Sequence, residues 1–384
     1  MRTTQATSLV PLWNRQEEWR RRLAMIAAAR DFLYASTYYL EYDQYGTEFL
    51  DALDEACRRG VAVNLLIDGF GQTLGGVLMT DEATRALASR LDQLRQAGAT
   101  VTIYRPGFLI QRRLGGGQHV KIQVSESAEA IFGSSNITAS SFEHWHEFSV
   151  ALQGPVVPVL LESYRELGGA VDESHLAQLR LTAATGSESA LDYWFCNPNL
   201  GQGRLGPLGW RGTNEVTDRM VALMDGACTS VKLTAFYFKP IPPLLDAVEA
   251  AARRGVRVEV YHSHRDALDA TDLAWIAAAA TYDRLLETGV HIWEHRNGEH
   301  SKIVLVDDER VSFGSYNFED AAHDRLAEAM LETTDDAMVA AARQIFDELA
   351  ADSAQVAVTP TFRDALSPVL RLRLAVMRHF KRWM

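Results

Sequence analysis

Two runs of residues decide the fold: His300-Ser301-Lys302-Ile303-Val304-Leu305-Val306-Asp307 and Phe313-Gly314-Ser315-Tyr316-Asn317. The apolar run at 303–306 is typical of a strand buried on both faces, and 307–310 predicts a turn before a second strand. Residues two apart on a strand share a face, so His300 and Lys302 leave the same side. The hairpin brings Ser315 and Asn317 close to them. An imidazole, an ammonium, a hydroxyl and an amide on one patch suit the binding and attack of a phosphate.

The same pattern occurs earlier in the chain, as His119-Val120-Lys121 and Phe132-Gly133-Ser134-Ser135-Asn136. The separation from His to Asn is identical in the two copies (136 − 119 = 17 and 317 − 300 = 17). A glutamate follows each Asn at the same distance (147 − 136 = 11 and 328 − 317 = 11), namely Glu147 and Glu328. Six identities at one register exclude chance, since each position matches at about one in twenty. The chain is therefore a tandem duplication with a first motif (residues 119–147) and a second motif (residues 300–328).

The elements around the motifs repeat as well. A helical pattern at 46–59 and a strand pattern at 61–67 return at 244–254 and 256–261. These counterparts are 195 residues apart (253 − 58), whereas the motifs are 181 apart (300 − 119), so the first half contains 14 extra residues (195 − 181). We expect them within 69–76 and 105–117. Strands alternating with helices predict an α/β fold with a mostly parallel sheet in each half, flanked by helices.

The composition changes along the chain predict four regions. An N-terminal half (1–185) contains the first motif, and a linker rich in Gly, Pro and Asn (186–212) leads to a C-terminal half (213–352) with the second motif. The tail (353–384) is basic and amphipathic: one helical face carries Leu366, Leu370, Leu374, Met377 and Met384, and another carries Arg371, Arg378 and Arg382. Such a helix either lies on an anionic membrane surface or docks on the protein itself, and the sequence leaves both alternatives open.

Length, charge and cysteine content exclude several classes of protein. The 384 residues carry a formal net charge of −12, which argues against a nucleic-acid binder, because backbone phosphates are gripped by a basic surface. Three cysteines form no disulfide framework and indicate a reducing compartment. The sequence contains no apolar run of the ~18 residues that a membrane span needs, and Met1–Arg22 lacks a secretory pattern. We expect a cytoplasmic protein that associates peripherally with the inner face of the cell membrane.

His-x-Lys with an acid five residues later, then Gly-Ser-x-Asn, occurring twice, resembles the phospholipase D superfamily, and most of all the bacterial cardiolipin synthases without N-terminal membrane helices. The resemblance implies two α/β sandwiches related by a pseudo-twofold axis, with one shared active site. It implies transfer of a phosphatidyl group between phospholipids such as phosphatidylglycerol at an anionic membrane, without metal or cofactor. Hydrolysis by water, as in a phospholipase D or a nuclease, and lipid binding without catalysis are the alternatives.

The resemblance also assigns roles to the repeated residues. One histidine attacks phosphorus to give a phosphohistidine and the other protonates the leaving alcohol; by family precedent these are His119 and His300 respectively. Six residues would bind the non-bridging oxygens: Lys121, Lys302, Ser134, Ser315, Asn136 and Asn317. Glu147 and Glu328 would each orient a histidine. Glu126 and Asp307 are structural acids, and Glu126 departs from the family's usual Asp, yet the otherwise intact first motif predicts an active site.

Other conspicuous residues are interpreted as structural. The pairs His144/His146 and His262/His264 lack the matching Cys or carboxylate set of a metal site, so we predict no metal there. The aromatic stripes at 34–39 and 236–238 are interpreted as core and interface rather than as a binding cage. Gly115-Gly116-Gly117 predicts a flexible segment beside the site that admits a lipid.

Overall fold

The computed structural model describes residues 1–183, 189–200, 213–267, 272–352, 355–359 and 362–380. Its strands are β1 (Arg2–Ala6), β2 (Ser8–Leu12), β3 (Phe32–Thr37), β4 (Ala62–Asp68), β5 (Thr100–Tyr104), β6 (Gly117–Gln118), β7 (Lys121–Ser125), β8 (Glu129–Gly133), β9 (Ser149–Gln153), β10 (Ser189–Cys196), β11 (Ser230–Ala235), β12 (Arg257–Ser263), β13 (His291–His295), β14 (Ile303–Val306), β15 (Arg310–Gly314), β16 (Leu326–Thr333) and β17 (Gln355–Val358).

The helices follow the polar caps and apolar spacing of the sequence. They are α1 (Arg15–Ala28), α2 (Gln44–Arg58), α3 (Gly69–Leu78), α4 (Asp81–Gln96), α5 (Leu109–Arg113), α6 (Val156–Glu166), α7 (Glu173–Thr182), α8 (Glu215–Gly226), α9 (Pro242–Arg253), α10 (Leu273–Ala279), α11 (Tyr282–Glu287), α12 (Asp320–Asp324), α13 (Asp336–Ala351) and α14 (Pro368–Phe380). Asn14, Asp68 and Asn214 begin α1, α3 and α8, and each side chain accepts hydrogen bonds from first-turn amides. The helices therefore begin where side-chain oxygens satisfy otherwise unpaired N–H groups.

The strands form two sheets with the same internal order. The first sheet runs β2-β9-β8-β7-β3-β4-β5, and the second contains β10-β16-β15-β14-β11-β12-β13 with β1 and β17 added at its edges. Each strand of the first sheet has a counterpart in the second, so the duplication extends through both sheets. The predicted α/β class and tandem duplication are confirmed.

The expectation of a mostly parallel sheet is wrong. The parallel pairs within each sheet path are β3-β4-β5 and β11-β12-β13, while the remaining pairs are antiparallel. The reason is local: each motif folds as an antiparallel hairpin, β7-β8 or β14-β15, which continues into a third antiparallel strand. Each sheet is therefore mixed, with a parallel part beside the helices that connect its strands and an antiparallel part at the motif.

One hydrophobic core joins the two halves. Phe132 and Phe148 of the first half and Phe313 of the second are fully buried in the same cluster. The ring of Phe313 lies 5.6 Å from that of Phe148 and 6.3 Å from that of Phe132, between ring centroids. The halves are thus packed through their hairpin strands, which places the two motifs side by side.

The N-terminus and the predicted linker both contribute to the second sheet. Residues 189–196, inside the predicted linker, form β10, which pairs with β16 on one side and with β1 on the other. The remaining linker residues 186–188 and 201–212 lie outside the described residues. The domain boundaries stay predictions, but residues 2–6 of the first half complete the sheet of the second.

The C-terminal helix α14 is docked on the second half. Leu374 is fully buried and Leu370 is 9% exposed, both within the core of that half. Arg373 pairs with Asp272 at 2.8 Å beside α10. Of the two alternatives for this helix, the structure contains the docked one; the side chain of Arg378, and Arg382 and Met384 entirely, lie outside the described residues. Within the described part of the chain, no helix has the length and apolar character that would span a bilayer.

Candidate active site

The two hairpins bring the ten repeated motif residues together. All ten are buried: His119, His300, Lys121, Lys302, Ser134, Ser315, Asn136, Asn317, Glu147 and Glu328. Both histidines and both asparagines line one cavity of about 700 Å³. The lysines lie behind the histidines: Lys121 Nζ donates to the carbonyl of His119, and Lys302 Nζ to that of His300, each at 2.7 Å. The arrangement has the same parts on each side because the hairpins are copies.

Each histidine is held by the glutamate of the other half. His300 Nδ1 lies 2.8 Å from Glu147 Oε2. His119 Nδ1 donates to the carbonyl oxygen of Ser315 at 2.9 Å and lies 3.2 Å from Glu328 Oε1. Among the described residues, neither histidine has a hydrogen-bond partner printed by geometry at Nε2, so that nitrogen is left for a ligand in the cavity. The two halves thus complete each other's catalytic groups.

The serines hold the glutamates, which differs from the predicted contact with phosphate oxygens. Ser134 Oγ donates to Glu147 Oε2 at 2.5 Å and accepts from the Phe148 N–H at 2.9 Å. Ser315 Oγ donates to Glu328 Oε2 in the same way. Each hydroxyl hydrogen is therefore used by a carboxylate, and the role of the serines is to position the glutamates.

One hydroxyl distinguishes the two carboxyl groups. Ser141 Oγ donates a further hydrogen bond to Glu147 Oε1 at 2.8 Å. The position 181 residues later is Ala322, which has no hydroxyl. Glu328 Oε1 accordingly accepts no hydrogen bond from a described residue, apart from its contact with His119. Glu147 thus has three donors around it, and Glu328 has fewer.

The pKa values of the two carboxyl groups diverge accordingly. Burial acts to raise the pKa of Glu147, but the imidazole of His300, the Lys302 ammonium and the Ser134 hydroxyl outweigh it and lower the pKa to about 2. For Glu328 burial prevails over the Lys121 and Lys302 ammonium groups and the Ser315 hydroxyl, and raises the pKa to about 8. At neutral pH Glu147 is ionised and Glu328 is mostly protonated.

Burial keeps both imidazoles neutral. It lowers the pKa of His300 to about 4 even though the Glu147 carboxylate opposes it. It lowers the pKa of His119 further below its ordinary range, with the Lys121 and Lys302 ammonium groups acting in the same direction. Burial likewise lowers the pKa of Lys302 to about 8 and that of Lys121 well below its ordinary value. The site is an enclosed patch of cationic and donor groups that favours an anion.

Aromatic residues line the cavity, which corrects the interpretation of the two aromatic stripes. The ring of Tyr38 meets His119 edge-on at 4.7 Å between centroids, and Phe236 meets His300 edge-on at 4.9 Å. Tyr39 and Tyr237 also line the cavity, whereas Tyr34 belongs to the core as predicted. Tyr38 and Phe236 directly follow β3 and β11, one residue beyond the strand end. That shared register was the signal in the sequence.

Asp68 was missed by the sequence analysis. Its carboxylate accepts from the N–H groups of Phe70 and Gly71 at the start of α3, at 3.0 and 2.7 Å, and from that of Gln118 at 2.8 Å. Burial raises its pKa to about 7. It ties α3 to the residue before His119. A side chain at Gly117 would place its Cβ 2.6 Å from Asp68 Oδ2, so the approach requires glycine there.

The motif acids lie at the turn ends of the hairpins, away from the cavity. Asp307 accepts from three consecutive amides, those of residues 228–230, at 2.7–3.1 Å. Glu126, its counterpart, accepts from the Arg30 N–H alone at 2.8 Å, and its second oxygen has no described partner. These contacts hold the loop before β11 or β3, in agreement with the structural role implied for both acids.

One group of side chains could hold a metal ion. Donor atoms of His146, His295 and Asp352 lie within 4.8 Å of one another. They already have protein partners: His146 Nδ1 is 3.2 Å from Glu299, and His295 Nε2 is 2.5 Å from Asp352. Because His295 Nδ1 accepts from the Asn297 N–H, its proton is on Nε2, facing Asp352. This arrangement favours a hydrogen-bonded cluster behind the site.

A family model described as "Cardiolipin synthase, PLD-like domain" matches residues 23–166 and 220–350. The chain belongs to this family. The two matched segments coincide with the two copies of the motif, so the resemblance based on the motif pair is confirmed. In this family the two copies stand in one chain, as the shared core of the structure requires.

Individual relatives carry the same name. The cardiolipin synthase of Clostridium perfringens strain SM101 is 25% identical over 315 residues, which cover 77% of this chain and 60% of the relative. Cardiolipin synthase B of Escherichia coli K12 is 25% identical over 312 residues, which cover 77% and 68%. The chain thus spans about 60% of the length of the clostridial relative.

A solved structure has the same fold. The phosphatidylserine synthase of Haemophilus influenzae Rd KW20 superposes with a TM-score of 0.76 at 16% identity, over 100% of this chain and 97% of that one. At this level of identity the likeness establishes the fold. It extends over both halves and over the described N- and C-terminal elements.

Proposed function

We propose that this protein is a phosphatidyltransferase of the cardiolipin synthase type, which moves a phosphatidyl group between phospholipids through a covalent phosphohistidine. The observation that carries the proposal is the pair of crossed His–Glu contacts at one cavity. Each Nδ1 is engaged by protein, so each Nε2 is available for a phosphodiester. Family membership supports the class of reaction, and phospholipid at the inner face of the cell membrane is the proposed substrate.

His119 is the proposed nucleophile. A carbonyl oxygen can only accept, so the contact with Ser315 places the proton of His119 on Nδ1 and the lone pair on Nε2. Burial and the two lysines keep the ring neutral. A neutral imidazole with its lone pair toward the cavity is the form that attacks phosphorus.

His300 is the proposed acid and base. Its Nδ1 faces the ionised Glu147, and a carboxylate in that position stabilises the imidazolium. With the cavity free of ligand, burial holds the pKa of His300 at about 4. A bound phosphodiester adds a negative charge beside the ring, which raises that pKa and allows His300 to carry a proton when the alcohol leaves.

The two steps then use the same groups in reverse. In the first, Nε2 of His119 bonds to phosphorus, the bond to the leaving alcohol breaks, and His300 gives its proton to the leaving oxygen. In the second, His300 takes the proton of the incoming hydroxyl, whose oxygen displaces His119 from phosphorus. Lys121, Lys302 and the two motif asparagines neutralise charge on the non-bridging oxygens in both steps.

Product analysis tests the reaction. With phosphatidylglycerol as both donor and acceptor, we expect cardiolipin and glycerol by mass spectrometry. Phosphatidic acid in place of cardiolipin would mean that water is the acceptor, and the protein would be a phospholipase D. The absence of any turnover of phosphatidylglycerol or phosphatidylethanolamine would reject both reactions.

Trapping the intermediate tests the two histidine roles. His119→Ala is expected to form no adduct with any donor. His300→Ala is expected to form a phosphohistidine at residue 119 from a p-nitrophenyl phosphodiester, because p-nitrophenolate leaves without a proton. An alkaline quench preserves the adduct for peptide mapping. An adduct mapped to His300 in the wild-type protein would reverse the assignment.

A further inference from the structure

Exposed apolar side chains are concentrated at the mouth of the cavity. Six of them, 46–75% exposed, lie on α3 and at α5: Leu74, Val77, Leu78, Phe108, Leu109 and Ile110. We call these six the apolar rim. The large apolar side chains elsewhere on the described surface that are comparably exposed are spread over several elements. Contiguous exposed apolar surface of this kind marks an interaction site.

The apolar rim is attached directly to the catalytic groups. Gly71 and Gly75 place the inner face of α3 on Tyr38 and Tyr39, and a Cβ at Gly71 would lie 2.4 Å from the Tyr38 carbonyl oxygen. Asp68 begins α3 and also holds the amide before His119. The inner face of α3 therefore forms a wall of the cavity, and its outer residues form the edge of the entrance.

The charge around the rim is opposite to that of the whole chain. Residues 69–79 and 105–118 contain Arg105, Arg112 and Arg113 and no Asp or Glu, in a chain of net charge −12. All three arginines are exposed. An apolar edge bordered by cations on an acidic protein is complementary to the anionic headgroups and acyl region of a bilayer.

The rim belongs to one half of the duplication. The first motif begins 15 residues after β5 ends at Tyr104, whereas the second begins five residues after β13 ends at His295. The segment with α5 therefore has no counterpart of its length in the second half, and it accounts for most of the extra residues inferred from the repeat offsets. The added residues are the apolar and basic ones, which indicates a function beyond closing the sheet.

We propose that the apolar rim inserts into the surface of an anionic phospholipid membrane and opens the cavity directly to the lipids. This inference rests on the proposed function, in which the substrate resides in a bilayer. Rim side chains enter the acyl boundary while the neighbouring arginines contact lipid phosphates. The tail helix α14 uses its Leu370 and Leu374 face within the protein, so the rim takes the membrane role that the sequence offered to the tail.

Vesicle binding tests the inference with the double variant Phe108→Ser/Leu109→Ser, because neither residue lines the cavity. In sedimentation with phosphatidylglycerol/phosphatidylcholine vesicles we expect at least about tenfold weaker binding, since insertion of each large apolar side chain is favourable. Leu181→Ser is the matched control, because Leu181 on α7 is 82% exposed and outside the rim. Undiminished binding by the double variant, or an equal loss in the control, would overturn the inference.

Activity on two forms of the substrate separates membrane docking from chemistry. The double variant should turn over monomeric dihexanoyl-phosphatidylglycerol within about twofold of the wild-type rate and lose most activity on vesicles. Loss on both forms, in a variant with a wild-type melting temperature, would place these residues in the reaction and overturn docking. A wild-type oligomer that the variant breaks would assign the rim to a second copy of the chain instead. Rim-dependent vesicle binding without turnover by the wild-type protein would reject the proposed function and leave the docking surface intact.

Discussion

Ser141 makes the two halves of the site unequal. It donates to Glu147, while Ala322 stands at the equivalent place near Glu328. A buried carboxylate with three donors remains ionised, and one with fewer donors holds its proton. The difference gives each histidine its own partner: an anion behind His300, and behind His119 a carbonyl oxygen with a mostly neutral acid. One hydroxyl thus supports the division into acid and nucleophile.

Ser141→Ala tests this division. Loss of one hydrogen bond raises the pKa of Glu147 and weakens its support of the His300 imidazolium, so we expect kcat to fall by about tenfold. The alkaline limb of the pH–rate profile, set by loss of the proton from His300, should move to lower pH. Glu147→Gln, which removes the anion, should lower kcat by about 100-fold or more. The profile of Ser141→Ala remaining at its wild-type position would show that Ser141 only fills space.

Glu328 is expected to make folding stability depend on pH. Its pKa is about 8 in the folded protein and near 4.5 when unfolded, so the folded state binds the extra proton between these values. This contribution is fully present below pH 4.5 and is lost as the pH rises through 8. Glu328→Gln should therefore show a smaller decrease in melting temperature from pH 5 to pH 8 than the wild type. Glu147→Gln is the control, because the pKa of Glu147 lies near 2 and changes nothing in that interval; identical slopes for Glu328→Gln and wild type would contradict the assignment.

At the scale of the hairpin, the turn acids show how one methylene changes a loop contact. Asp307 gathers three amides, whereas the longer Glu126 reaches one. Burial acts to raise the pKa of Asp307, but the amides of Ser230, Thr229 and Cys228 lower it to about 2. Its stabilising effect is therefore present above the ordinary value of 3.8 and is lost as the pH falls toward 2.

Asp307→Asn and Glu126→Gln form a matched pair for this contact. We expect Asp307→Asn to lower the free energy of unfolding by about 1 kcal/mol and the melting temperature by about 2–4 °C at pH 7, because it weakens three charge-assisted bonds at a half-exposed site. Glu126→Gln should change the melting temperature much less. Thermal unfolding followed by circular dichroism measures both, and a larger effect at Glu126 would contradict the structural comparison.

The docked arrangement of α14 gives a second prediction at this scale. Leu374 is fully buried and Leu372 is 66% exposed on the same helix. Leu374→Ala is expected to cost about 2–4 kcal/mol of unfolding free energy, as other buried leucines do. Leu372→Ala should be close to neutral. Denaturant unfolding would reveal equal effects if the helix left the protein for a membrane in solution.

The motifs, the duplication and the strand–helix alternation could be predicted from the sequence because they depend on spacing along the chain. The crossed partnership of Glu147 with His300 could not, since it is set by how two hairpins 181 residues apart pack together. Strand direction was mispredicted because an apolar run such as 303–306 is compatible with either direction. Asp68 was overlooked because its role is to hold backbone amides, and no repeated counterpart drew attention to it.

At the scale of the whole molecule, the two halves are interleaved. Strand β1 from the first residues lies in the second sheet, and β6, directly before His119, pairs with β16 of the second half. The His119 N–H donates to the Ala327 carbonyl, and the His300 N–H to that of His146. Each motif therefore has its backbone fixed by the other half. The duplication has become one structural unit with one cavity.

A mixing experiment tests whether one chain supplies the whole site. His119→Ala and His300→Ala each lack one of the two groups that the reaction needs, so each alone should be inactive with phosphatidylglycerol. Because both histidines of a chain are buried in its own shared core, an equimolar mixture of the two variants should be no more active than either variant alone. Restored cardiolipin formation in the mixture would require halves from different chains to combine, with β1 and β6 leaving the sheets in which they are found. A His119→Ala/His300→Ala double variant mixed with wild type sets the baseline, because it dilutes the active chain without contributing a histidine.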